Sequence, residues 1–220
     1  MYSFAQRHDT SVLDEPFYAV YLDRSKADHP GAAEVLSSLS IHEETVIEQI
    51  FRGWPKPVLF IKNMAHHIEV IDKSFLSKTT NIFLIRNPKQ IIASYAEVIG
   101  KPVMRDIGIE YEYRLFEDLR KQGHVPVVLD SGVLLANPRE VLTKLCAAIG
   151  LEFTPSMLNW EAGPKPYDGV WAPYWYGNVH RSTGFEKQNS SSRQLPSHLT
   201  MLYEKAAPYY EKLLSFAIGI

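Results

Sequence analysis

Four short apolar runs constrain what this chain can become: TSVLD (10–14), PVLFIKN (57–63), NIFLIR (81–86) and VPVVLDS (125–131). Each is continuous rather than alternating and rich in β-branched residues, as strands buried on both faces are. Helical patterns separate them, near 43–53, 66–77, 88–99, 108–123 and 138–149, with a last one near 197–215. Strands alternating with helices predict βαβ units and a mostly parallel central sheet between helical layers, a three-layer α/β sandwich. A chain of 220 residues can bury an adequate core by itself, so one domain over 1–220 is expected.

Composition removes several function classes. Cys146 is the only cysteine, which rules out a disulfide framework or a cysteine zinc site within one chain, and its setting in VLTKLCAAIGL reads as a core thiol. His66 and His67 do not project together from a helix, so no metal site is expected there. A formal net charge of −2 and a pI near 6.4 argue against general nucleic-acid binding. No stretch approaches the roughly 18 apolar residues of a membrane span. MYSFAQRHDTSV shows no basic region followed by an apolar run, so a cytoplasmic protein is expected.

Each apolar run ends in polar residues: Asp14-Glu15, Lys62-Asn63, Arg86-Asn87 and Asp130-Ser131. In an open α/β sheet ligands bind beyond the carboxyl ends of the strands, which makes these residues site candidates. Asn87-Pro88 reads as a helix start, with Gln90 placed for a capping box. Ile91, Ile92, Tyr95, Val98 and Ile99 mark a buried face that also carries Ser94. An anion beside that helix could be met by the Ser94 hydroxyl and by the planar fork of Arg86. Residues 160–185 hold three tryptophans, three tyrosines and no period, as a lid or binding loop would; the polar EKQNSSSRQLPS follows them.

An arginine at a strand end, Pro two residues later and a serine eight residues after the arginine resembles the 3′-phosphate site of sulfotransferases that use 3′-phosphoadenosine 5′-phosphosulfate (PAPS). The ordered set SFAQRHDTSVLDEPFYAVYL, VLFIKNMAHHI, IFLIRNPKQIIASY and HRSTGF is similar to a sulfotransferase-like branch of the P-loop NTPase superfamily. Some plant members of that branch are fused to aminotransferase-like domains. The resemblance implies that Arg86 and Ser94 hold the 3′-phosphate of PAPS or of adenosine 3′,5′-bisphosphate. It makes Arg181, Ser182, Thr183 and Gly184 further cofactor candidates.

The same resemblance implies sulfuryl transfer to the hydroxyl of a small-molecule acceptor. Glu15 or His66 would be the base, and Lys62 would lie near the sulfuryl group. MYSFAQR reads as the inside of the first helix, and no G-x-x-x-x-G-K-[ST] occurs, so the first strand and the 5′-phosphosulfate loop are expected to be missing. That leaves a non-catalytic binding or regulatory protein as the alternative. An ATP- or GTP-using enzyme is disfavoured by the absent Walker residues.

Overall fold

The computed structural model describes residues 1–97, 101–186 and 194–219. Along the chain the strands are β1 Thr10–Asp14, β2 Val58–Lys62, β3 Ile82–Ile85 and β4 Val127–Asp130. The helices through the middle of the chain are α1 Tyr2–Ala5, α2 Tyr18–Ser25, α3 Ala32–Ser38, α4 Glu43–Phe51, α5 Ala65–Glu69 and α6 Pro88–Ala96. They continue as α7 Met104–Ile107, α8 Ile109–Lys121, α9 Ser131–Ala136, α10 Pro138–Ala148, α11 Ala172–Trp175, α12 Gly177–Arg181 and α13 Thr200–Leu214. No helix among the described residues is long and apolar enough to cross a membrane. All four predicted strands are present, and the α/β class with parallel strands holds.

The chain divides into two compact units, Met1–Phe75 with Thr154–Phe185, and Leu76–Phe153 with Glu186–Ile220. In the first, β1 and β2 pair in parallel, with Thr10 opposite Val58 and Asp14 opposite Lys62. That register sets the two polar strand ends side by side. Helix α2 follows at once, and every residue from Phe17 to Leu22 is buried. Because its first five residues, Tyr18 to Leu22, are buried on every side, that part shows no 3.6-residue stripe and its period is invisible in the sequence. The predicted helix 66–77 is instead the short α5 and a 3₁₀ turn, Ser74–Lys78. Asp72 Oδ1 accepts the Ser74 amide at 2.6 Å and starts that separate turn.

In the second unit β3 and β4 pair in parallel, Ile82 opposite Val127 and Ile85 opposite Asp130. The next edge of β4 is met by the C-terminal segment, where the Ile218 amide donates to Val128 O at 3.0 Å. Ile85 and Ile92 are fully buried, and each contributes roughly 1.5–3 kcal/mol through that burial. They pin the strand end and the first turns of α6, and so fix where Arg86 stands. Cys146 is buried within α10, as a core thiol.

The core of this unit also encloses a carboxyl. Burial alone pushes the Glu112 carboxyl up to about 8, although the residue keeps part of its surface in water. The folded state therefore holds its proton more tightly than the unfolded chain does. Stability is complete below the ordinary carboxylate range and falls as pH rises toward 8. Glu112→Gln should flatten that fall, recovering on the order of 1–3 kcal/mol at pH 8 once the residual solvation is discounted. Urea titrations of both proteins at pH 5 and pH 8 check it; parallel pH dependence would show that Glu112 is not the group responsible.

Candidate active site

The ends of β1 and β2 bring one cluster together. Asp14 and Glu15 are both buried, and the Glu15 amide donates to Lys62 O at 2.7 Å, closing the ladder. Glu15 then turns into the left-handed region at φ 39°. A residue other than glycine is strained there and stays only because its surroundings fix it. The turn lets the carboxyl face the neighbouring strand, where Lys62 Nζ donates to Glu15 Oε1. Lys62 Nζ also lies 3.7 Å from Asp14 Oδ1.

The third participant comes from the aromatic segment. That segment is not wholly irregular, because α11 and α12 form within it and Tyr176 stands between them. Its hydroxyl donates to Asp14, 2.8 Å from both oxygens, and lies 3.4 Å from Glu15 Oε1. It accepts from Lys62 Nζ at 2.7 Å and from Trp171 Nε1 at 3.3 Å. The Gly169 amide donates to Asp14 Oδ2 at 3.2 Å. A Cβ at Gly169 would lie 2.2 Å from the Trp171 ring, so only glycine lets the indole fold back this way.

The charges explain the chemistry. Burial pushes the Glu15 carboxyl up; Lys62 opposes that, and the neighbouring Asp14 charge adds to it. Burial raises Asp14 as well, against the pull of Lys62 and the Tyr176 hydroxyl. Two carboxylates share one lysine in a site from which water is largely withdrawn, so a proton is readily taken up here. A carboxylate poised in this way can act as a general base.

The two histidines part company. His66 and His67 are both buried, so they form neither a surface pair nor a cap. His66 packs edge-on against Tyr21 at 4.9 Å. His67 stacks on Tyr18 at 4.4 Å, with Nδ1 3.7 Å from Glu15 Oε2 and no hydrogen-bond partner on that atom. Burial holds its imidazole neutral, well below the usual range for histidine. Sequence reasoning named His66 as a base candidate beside Glu15; two adjacent residues on one helical turn cannot be told apart without a helix phase. Tyr176 was missed altogether; the only signal was the aromatic density of 160–185.

In the second unit Arg86 ends β3 and its Nε donates to Gln90 Oε1 at 2.9 Å. The expected capping box is therefore corrected: Asn87 Oδ1 caps the Lys89 amide at 2.9 Å, and Gln90 orients the arginine instead. Ser94 is half-buried on α6 beside buried Ile92 and Ala93. Val98 and Ile99 of the predicted buried face lie outside the described residues. A guanidinium at a strand end and a hydroxyl in the following helix are the donor types that a phosphate takes. The residues present fit that group.

The HRSTGF stretch belongs to the first unit. Ser182 Oγ accepts from Trp160 Nε1 at 3.1 Å and donates to Val179 O at 2.7 Å. Gly184 bridges Asn159, and a Cβ there would lie 2.8 Å from Leu158 O. These two shape the turn. Arg181 and Thr183 are exposed on it, with Arg181 donating to Asn178 Oδ1 at 2.6 Å.

A family model described as a sulfotransferase domain matches residues 1–217 and so runs through both units. Branched-chain-amino-acid aminotransferase-like protein 1 of Arabidopsis thaliana is 38% identical over 218 residues, which is 98% of this chain and 39% of that protein. Its protein 2 counterpart from the same plant is 36% identical over 97% of this chain and 38% of its own length. The chain thus spans about two fifths of these curated relatives. Among solved structures, the sulfotransferase domain of the Synechococcus PCC 7002 olefin synthase covers 89% of this chain and 74% of its own. Its sequence identity is 17% and its TM-score 0.49.

Proposed function

The chain belongs to the sulfotransferase domain family, and from that premise we propose that it transfers a sulfuryl group from PAPS to the hydroxyl of a small-molecule acceptor. The observation that carries this reading is the pairing of buried Glu15 with half-buried Lys62 at the adjoining ends of β1 and β2. It offers a base of raised proton affinity and a cation within one contact of each other.

Glu15 would take the proton of the acceptor hydroxyl at a carboxylate oxygen as the acceptor oxygen bonds to sulfur and the bond from sulfur to the leaving phosphate oxygen breaks. Lys62 offers its ammonium to the charge that spreads over the transferred group. His67, held neutral and buried, walls the carboxylate from water and keeps it facing Lys62. PAPS, when bound, supplies the sulfuryl group and departs as adenosine 3′,5′-bisphosphate. Arg86 and Ser94 would take the 3′-phosphate, which separates this nucleotide from AMP. Arg181 and Thr183 are further cofactor contacts, displayed by the turn that Ser182 and Gly184 build. A cytoplasmic setting suits this donor and is proposed with it.

Calorimetric titration tests the donor half directly. Adenosine 3′,5′-bisphosphate should bind at least ten-fold more tightly than AMP, the scale of one lost hydrogen-bonded charge pair. Equal affinities would dismiss the 3′-phosphate assignment. Selective binding without turnover on any hydroxyl acceptor would favour a non-catalytic protein that keeps the nucleotide site.

A further inference from the structure

We propose that Tyr176 is a positioning residue: its hydroxyl accepts from Lys62 and donates to Asp14, which fixes the ammonium beside the Glu15 carboxyl and ties it to the 160–185 segment. This rests on the reading of Glu15 and Lys62 as the reacting groups. It adds a residue that the strand ends do not contain.

The geometry is specific. One oxygen atom accepts from Lys62 at 2.7 Å and from Trp171 at 3.3 Å, and gives its single proton to Asp14, with Glu15 Oε1 at 3.4 Å. The ammonium also lies 4.8 Å from the centroid of the same ring. Lys62 has a long flexible stem, and without such partners its ammonium would sample many positions. Asp14 closes the arrangement from below. It receives Tyr176 and the Gly169 amide, both from the 160–185 segment, so a strand-end carboxylate serves as the catch for the segment. Further along, Asp168 anchors the same segment, accepting Tyr2 at 2.7 Å and pairing with His180 Nε2 at 3.0 Å.

The groups that face Glu15 are Lys62, Asp14, the Tyr176 hydroxyl and neutral His67. A hydroxyl that donates to a carboxylate favours the ionised form. Its loss therefore raises the proton affinity of the carboxyl pair, and a base must be ionised to act. The acidic limb of the turnover profile then moves to higher pH.

Tyr176→Phe removes only the oxygen and keeps the ring against Trp171. In the full chain, kcat should fall roughly 10- to 100-fold, the range spanned by losing one orienting contact. Its acidic limb should move up in pH, with the affinity for adenosine 3′,5′-bisphosphate unchanged. A lower kcat with an unmoved limb would mean a merely structural role and overturn the proposal, as would wild-type kcat. Should Glu15→Gln prove fully active, the reading beneath falls separately. Tyr176 is then scored on hydrogen exchange at the Gly169 amide, a readout independent of turnover. Faster exchange in Tyr176→Phe supports the catch, and unchanged exchange rejects it.

Discussion

Glu15→Gln is expected to lower sulfuryl transfer by roughly two to four orders of magnitude, the usual contribution of a positioned general base. Glutamine matches glutamate in size and can still accept from Lys62, but it cannot take a proton. The change leaves Arg86 and Ser94 untouched, so bisphosphate affinity should stay within about two-fold, well inside one tenfold step of 1.4 kcal/mol. The variant also relieves the site of a buried carboxylate whose ionisation is disfavoured, so no loss of folding stability is expected. In the unmodified protein the acidic limb of the profile should stand above the ordinary glutamate range, because burial raises the carboxyl. A fully active Glu15→Gln would move the base elsewhere, and neutral His67 beside it is the next group to replace.

Arg86→Ala should weaken adenosine 3′,5′-bisphosphate binding by about 1.5–3 kcal/mol, the worth of hydrogen bonds to a charged group. On the affinity scale this is roughly a ten- to 150-fold rise in Kd. AMP binding should not change, since the lost partner is the 3′-phosphate. Arg86→Lys should recover only part of the difference, because an ammonium keeps the charge and loses the fork. The substitution removes the donor to Gln90 at 2.9 Å but leaves Ile85 and Ile92 buried, so the strand end and α6 should stay in place. Unchanged affinity in a folded Arg86→Ala protein would take this residue out of the site.

The strands were legible as continuous β-branched runs, although only β4 is buried at every position, and the sequence placed Glu15, Lys62 and Arg86 at or just beyond the strand ends where the structure has them. Asn87-Pro88 was legible too, since capping is local chemistry within three residues. What failed was phase and distance. Helix α2 was invisible because its first five residues are buried on every side, and His66 could not be told from His67 because neither helix phase nor neighbours could be read. Gln90 was assigned to the cap when a charged neighbour, Arg86, offered it a stronger hydrogen bond. Tyr176 lies 162 positions from Asp14, and no local pattern encodes such a contact.

That separation also has a consequence in time. The first unit takes its strands from one end of the chain and Tyr176 from far along it, so the unit cannot close when its strands are first made. At a synthesis rate of roughly 5–20 residues per second, Asp14 waits on the order of 10–30 s for its partner to be made. Contacts this distant in sequence also form late in refolding, after nearby ones have reduced the search. During that wait two carboxylates and a lysine sit at an open strand end. β3, α6 and β4 are all made before residue 154, so the first unit waits for the hydroxyl of Tyr176 while the second waits longer still for its closing segment Glu186–Ile220.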